Sequence, residues 1–374
     1  MKFKRIVAVI LSVCILSLAG FTGCSKKTAQ TKQQKFKIGM AIWGTTDNLG
    51  SSIKKYTDYL SKKFNCEFVY KNSDTPSDEL NAVENLVAAG CNGVLICSYS
   101  DTILRQISQT CSQSKVYFGL IFRKINDAQI KKICEANPYY IGNAVEDDSQ
   151  AGYDEAKALA DDGCKNIAIV SPMSPGDSCH DNRYNGAMKA IKETGMNKIG
   201  EYRNSVGCTD AVENLVASLP NLDGIVLTGG VNGTIEACMQ AVESHNKAGK
   251  IKVADIDVFD GAEDAFNKNA IQFLAGGQYE DPAFMFAVLY NKLLGTPLSD
   301  GPVSLNLNFI HIKSAVDFKN YKKYITGNVL PYTADEIKQW IKKYNSDASV
   351  KTLQKAGSTY SLEDVMTRHK DLVK

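Results

Sequence analysis

Neither sign of charge dominates this chain: 43 Lys and Arg stand against 41 Asp and Glu over 374 residues. A nucleic-acid surface needs a clustered excess of cations to neutralise phosphates, so no nucleic-acid partner is expected. Histidine is scarce, at four residues, and no Cys or His cluster has zinc spacing. No G-x-S-x-G elbow occurs, and no nucleophile–base pair stands out. Thr228-Gly-Gly-Val-Asn-Gly233 sits where a phosphate loop would, but it lacks the G-x-G-x-x-G spacing and the closing Gly-Lys-Ser/Thr. Asp255, Asp257 and Asp260-Gly261 follow a calcium loop only in outline. One residue too many separates the second and third acids, and the closing Glu is missing. The expectation is therefore a chain that is not an enzyme and holds neither metal nor cofactor.

Disulfide signatures are also wanting. Of 11 Cys, none is in C-x-x-C spacing. Apart from Cys14 and Cys24, nine remain, at 66, 91, 97, 111, 134, 164, 179, 208 and 238. Exported chains rich in Cys usually carry bridges. Here the odd count, and the place of Cys97 inside a strand-like run, favour free buried thiols acting as small hydrophobes. One or two bridges remain the alternative.

Long apolar runs are limited to the amino terminus. Met1 to Arg5 is basic, and Ile6 to Phe21 is apolar but short for a membrane span. No later run is long enough to span. Phe21-Thr-Gly-Cys24 resembles the lipobox of bacterial lipoproteins, with Phe21 in the place of the usual Leu. The alternative is an ordinary secretory signal with a chance Cys. The lipobox reading makes 1–23 a signal peptide and implies acylation of Cys24. It makes 24–35 a polar tether and places the protein on the outer face of the bacterial cell membrane, held there by its lipid. Losing Lys2, Lys4 and Arg5 leaves 40 bases against 41 acids, a balance with no footprint for phosphate.

What is present is a rhythm. Lys37–Trp43, Glu67–Lys71, Gly93–Cys97 and Val116–Phe122 read as buried strands, each followed by an amphipathic helix. Ile141–Gly152 then reads as a crossing, with Asp147 and Asp148 at its floor. The pattern resumes with strands at Asn166–Val170, Gly200–Arg203, Gly224–Thr228, Lys252–Ile256 and Ile271–Ala275. Ala283–Leu294 is an apolar helix, and Val303–Ile312 alternates like one strand. Asp335–Tyr344 reads as a surface helix, with Trp340 in ordinary surface packing. Two doubly wound, parallel-sheet α/β lobes are expected, since βα units repeating about every 25 residues give right-handed crossovers. Ligands of such sheets bind beyond the carboxyl ends of the strands, so the site belongs between the lobes.

Candidate ligand contacts follow from that placement. The mature chain has five Arg, and a guanidinium is a planar fork suited to adjacent hydroxyls. Arg123 follows a core strand, and Arg183 opens a helix after a strand loop. Structural ion pairs are the alternative for both. Trp43 offers a flat apolar face for a sugar ring, or simply core filling. Asp47, Tyr99 and Asp148 stand at strand ends or helix starts, as does Asn232. Asp257 can accept from vicinal hydroxyls, and Gln278 completes the set.

In order and spacing, these motifs resemble the periplasmic sugar-binding proteins of ABC transporters, of the ribose- and galactose-binding type, over about residues 36–312. Arg123 stands where that family places a ligand-binding Arg, with Phe122 in place of its Asp. Arg183-Tyr-Asn-Gly186 resembles Arg-x-x-Gly-Phe, with Ala187 for the Phe. Asp257 matches the Asp that binds sugar hydroxyls, and Gly277-Gln-Tyr-Glu-Asp-Pro282 resembles the second hinge. Gly230-Val231 replace an Asn-Asp, with Asn232 beside them to compensate. The resemblance implies the type I periplasmic-binding-protein fold, with three crossings and discontinuous lobes. These are 36–142 with 279–298, and 143–278 with 299–330, followed by a polar helical tail, 331–374. It implies closure around a small-molecule ligand, expected to be a sugar, and delivery to an ABC permease in the membrane. A sensor presenting its closed form to a membrane histidine kinase shares fold and cleft, and nucleosides, amino acids and inositols are alternative cargoes. A transcription regulator of this fold would need an amino-terminal helix-turn-helix where the export pattern stands.

Overall fold

The computed structural model describes residues 35–204 and 206–373, without the side chain of Asn232. The signal peptide, Cys24 and nearly all of the tether lie outside the described residues.

The first lobe runs β1 (Phe36–Ile42), α1 (Asn48–Lys63), β2 (Cys66–Asn72), α2 (Pro76–Ala88), β3 (Gly93–Ile96), α3 (Leu104–Ser114), β4 (Tyr117–Ile121), α4 (Ala128–Glu135) and β5 (Tyr140–Glu146). The second runs α5 (Asp148–Asp161), β6 (Asn166–Pro172), α6 (Ser178–Thr194), β7 (Asn197–Asn204), α7 (Cys208–Ser218), β8 (Gly224–Leu227), α8 (Thr234–Ser244), β9 (Lys252–Ile256), α9 (Ala262–Asn267) and β10 (Ile271–Gly276). The chain then returns for α10 (Asp281–Leu293) and β11 (Val303–Leu307), and crosses again for β12 (Ile310–Ile312). Four tail helices follow: α11 (Ala315–Tyr324), α12 (Ala334–Lys338), α13 (Val350–Thr359) and α14 (Leu362–His369).

Each lobe holds a six-stranded sheet, ordered β11-β5-β4-β3-β1-β2 and β12-β10-β9-β8-β6-β7. The first is parallel throughout; in the second, only β12 is antiparallel, against β10. Short apolar runs such as Gly93–Ile96 and Gly224–Leu227 are buried along their whole length, as strands covered by helices on both faces must be.

Two expected boundaries move. Tyr140–Glu146 is a fully buried strand of the first sheet, so the first crossing falls at Asp147, not at 142. Val303–Ile312 is two strands in different sheets, so 303–307 belongs to the first lobe rather than the second. Asn308-Phe309, between them, is the third crossing.

The tail is not a polar surface appendage. Tyr332, Ile337, Trp340, Ile341, Leu353 and Tyr360 are buried in the main core. Trp340 stacks on Phe284 of α10 with ring centroids 4.8 Å apart, and the expected Asp335–Tyr344 helix shrinks to Ala334–Lys338. This explains why α10 is buried on all sides from Asp281 to Asn291: the sheet takes one face and tail aromatics take another. All nine Cys of the described residues are buried and free.

Candidate functional site

Arg183 lies in the first turns of α6, which packs unusually close to α5. A Cβ on Gly152 would lie 1.9 Å from the Arg183 carbonyl oxygen, and one on Gly186 would lie 1.9 Å from that of Ser149. Only glycine permits such backbone contact. The buried Arg183 guanidinium is then fixed by two bonds. Its Nε donates to Asp148 Oδ1 at 2.8 Å, and its Nη1 donates to the Thr228 carbonyl at 3.0 Å. Nη2 has no partner among the described residues, and Arg183 lines the cleft, so one arm of the fork is left for a ligand.

Asp257 follows β9. Its Oδ2 accepts from the Gly230 amide at 3.0 Å, and its Oδ1 accepts from Gln278 Nε2 at 3.1 Å. Withdrawal from water raises its carboxyl above the usual range, with Arg183 opposing the shift. Gln278 is held by its turn, where Tyr360 Oη donates to the Gly277 carbonyl at 3.2 Å. Arg183, Asp257 and Gln278 therefore present donors and acceptors to one space.

The facing wall comes from the first lobe. Trp43 and Phe122 pack with centroids 6.0 Å apart and both line the cleft. The indole N–H is committed to Asp47 Oδ1 at 3.0 Å, so Trp43 presents its face rather than a donor. Phe122 adopts φ +62°, a left-handed conformation rarely tolerated by a bulky residue and commonest at functional sites. Tyr99 lines the same space, and its amide donates to the buried Glu79 at 3.0 Å.

Arg123 also lines the cleft, but its fork is taken. Nε donates to Asp177 Oδ2 at 3.0 Å, and Nη2 lies 2.9 Å from the same oxygen. Since β4 precedes Arg123 and Asp177 caps α6, this buried ion pair joins the two lobes. Asp177 Oδ1 accepts from the amides of Cys179 and His180. Although burial opposes it, the Arg123 charge leads the effects that hold the Asp177 carboxyl down at about 2.

Most expected residues thus meet in one cleft of about 910 Å³, large among ligand pockets. Asp148 stands behind Arg183 and orients it. Asp147, expected at the floor, is exposed and caps α5 through Gln150. The side chain of Asn232 lies outside the described residues. Asp177 and Cys179 were not expected, and His180 lines the cleft with Cys179. Their signal was an Asp just ahead of a helix: as its cap, Asp177 accepts from the amides of Cys179 and His180, and both residues are buried. Burial drives the His180 pKa down to about 3, leaving a neutral ring with Nδ1 3.3 Å from Thr228 Oγ1. These three have ligand atoms close enough for a metal. Both Asp177 oxygens are engaged, however, and the Arg123 and Arg183 charges act on the Cys179 thiol. That setting favours neutral or electron-rich solutes over a cation.

Buried carboxyls also gather at the crossings. Burial raises the pKa of Glu146, Glu280 and Asp281, and several of their oxygens lack a protein partner. Removal from water disfavours their charged forms.

Residues 38–296 match the model of a periplasmic binding protein domain. No curated protein sequence matches. Among solved structures, an ABC transporter periplasmic solute-binding protein of Actinobacillus succinogenes with bound D-allose is 18% identical, with TM-score 0.67, over 77% of this chain and 100% of its own. An Agrobacterium vitis solute-binding protein with α-D-tagatopyranose is 18% identical, with TM-score 0.65, over 75% and 95%. A Bacillus halodurans protein with myo-inositol is 15% identical, with TM-score 0.65, over 78% and 99%. At these identities the likeness is one of fold.

Proposed function

The chain belongs to the periplasmic binding protein domain family, a family of binding proteins rather than enzymes, and on that premise we propose that it is a receptor closing two lobes around a small sugar for delivery to an ABC permease. The observation that carries this reading is the convergence of Arg183, Asp257 and Gln278 on one side of the cleft, opposite the Trp43 and Phe122 rings. A sugar has two kinds of surface, hydroxyls around its edge and C–H faces above and below. Fixed charged donors and acceptors bind the hydroxyls strongly in a site shielded from water. An aromatic face covers the apolar side.

The mechanism has three parts. The polar corner lies on the second lobe and its crossing, and the aromatic wall lies on the first. A ligand touching both stabilises the closed arrangement by its differential contacts. The Arg123–Asp177 pair adds a lobe-to-lobe tie that is formed when the lobes meet. The permease then recognises the closed form. Acylation of Cys24 keeps the receptor at the outer face of the membrane, beside that permease. The solved relatives that bind D-allose, D-tagatose or myo-inositol agree with a polyhydroxylated cargo.

Thermal melting of the purified mature protein against monosaccharides, inositols, nucleosides and amino acids tests the reading. A ligand that binds only the folded state raises Tm by mass action. A rise with sugars is expected. A rise confined to nucleosides or amino acids would replace the cargo. Cys24→Ser tests the anchor: the protein should move from the membrane fraction to the medium or periplasm, and retention on the membrane would remove the lipid assignment.

A further inference from the structure

The cleft is deeper and wider than its polar corner, and its outer part is built by a segment beyond the family-matched residues. Helix α11 starts at Ala315, after the match ends at 296. Its Phe318 and Tyr321 are nearly buried and line the cleft. Lys322, on the same helix, lies at the rim and pairs with Asp260 at 3.0 Å. Thr326 follows, in a turn held to the first lobe by Lys55 Nζ, which donates to the carbonyls of Thr326 and Gly327 at 3.2 and 2.6 Å. Across from it, Asn48, Ser51 and Ser52 of α1 line the same opening.

The cleft therefore has two levels. The inner level is buried and carries the Arg183 guanidinium and the Gln278 amide. The outer level carries the small hydroxyls and amide of α1 and the Lys322–Asp260 ion pair at its mouth, above the buried Phe318 and Tyr321 rings. A volume of about 910 Å³ lies near the top of the range for pockets that enclose drug-sized ligands. A rim of hydroxyl, amide and paired charge over two aromatic rings is suited to a second sugar ring, whose hydroxyls replace water at the rim at little cost and whose C–H face meets the aromatic surface.

We propose that the carboxyl-terminal extension, through α11 and the turn after it, forms a second saccharide subsite, so that the cargo is a glycosidically linked sugar of two rings rather than a free monosaccharide. This rests on the sugar-receptor reading above. One ring sits on Arg183, Asp257 and Gln278; the next lies between Lys322–Asp260 and the serines of α1. No bond is made or broken.

Calorimetry on the purified mature protein tests it, with glucose, galactose, mannose and xylose set against cellobiose, lactose, mannobiose and xylobiose. At least one disaccharide should bind about tenfold or more tighter than either of its component sugars. Lys322→Ala, with Ser52→Ala as a second variant, should cut that preference at least about fivefold, since only one ring meets the rim. Tight monosaccharide binding with disaccharides no better, or a preference untouched by both variants, overturns the second subsite and leaves the sugar receptor standing. Binding of no sugar of either size overturns both.

Discussion

Arg183 shows how much one side chain is prepared before any ligand arrives. Two of its groups are tied to Asp148 and Thr228, and the remaining arm faces the cleft. Replacing it leaves Asp148 buried without its cation and removes a donor from the ligand. Arg183→Ala and Asp257→Ala should each weaken sugar binding by at least about 2 kcal/mol, roughly thirtyfold, read by calorimetry; unchanged affinity in both would remove the site assignment. His180 gives a prediction of different kind. Folded, it stays neutral down to about pH 3, whereas unfolded it protonates near 6.5. Between these values the unfolded chain holds more protons, so stability falls as pH drops below 6.5, by up to about 1.4 kcal/mol per pH unit. His180→Gln should therefore lose less Tm than wild type between about pH 7 and about pH 5, whatever its starting stability. That Arg123, Arg183 and Asp257 line the cleft was legible from residue type and position, Arg123 and Asp257 after strands and Arg183 near the start of a helix. The engagement of Arg123 by Asp177 was not, because the partner is 54 residues away and no local pattern points across a cleft.

At the scale of elements, the α5–α6 pair fixes the site. Gly152→Ala places a methyl against the Arg183 carbonyl. The helices must separate, which costs about 1–3 kcal/mol by overpacking, and Arg183 moves with α6. A lowered melting temperature together with weaker ligand binding is expected; Gly301→Ala, which has open space beside it and no left-handed φ and lies outside the cleft lining, supplies a control for affinity. The strand–helix rhythm was readable because buried parallel strands are short apolar runs. The strand Tyr140–Glu146 escaped because Gly142, Asn143 and Glu146 make it look polar, although all seven residues are buried. β11 and β12 were read as one strand because the alternation runs on to Phe309; it changes phase at Ile310, where the chain enters the other sheet. Sequence periodicity records which face is inward, not which sheet it belongs to.

At the scale of the molecule, two features hold its parts together. The Arg123–Asp177 pair ties the lobes directly. Arg123→Gln keeps Asp177 satisfied by the α6 amides but loses a charge-assisted tie worth about 1.5–3 kcal/mol. Small-angle scattering of the ligand-free variant should show a larger radius of gyration than wild type, and an identical radius would deny the pair a role in closure. The second feature is the tail, whose aromatics are too far apart in sequence to show a period, which is why its docking was missed. Trp340 is 5% exposed and packs on both Phe284 and Tyr332. Trp340→Ala should cost about 3–5 kcal/mol, visible as a shift of the urea midpoint; a surface indole would cost almost nothing.

The nine sequestered thiols turn the molecule into its own clock. A maleimide in solution reaches a given sulfur only when the structure around it opens, so the labelling rate at each Cys measures the opening of its own neighbourhood. The nine are spread over both lobes, from Cys66 on β2 to Cys238 on α8, so local breathing and global unfolding are separable without any engineered probe. Cys179 lines the cleft, and its labelling alone should be shielded directly by cargo. The same inventory makes the unfolded chain vulnerable: until it folds, every one of these sulfurs is available to any oxidant present, and burial is its protection against scrambled bridges.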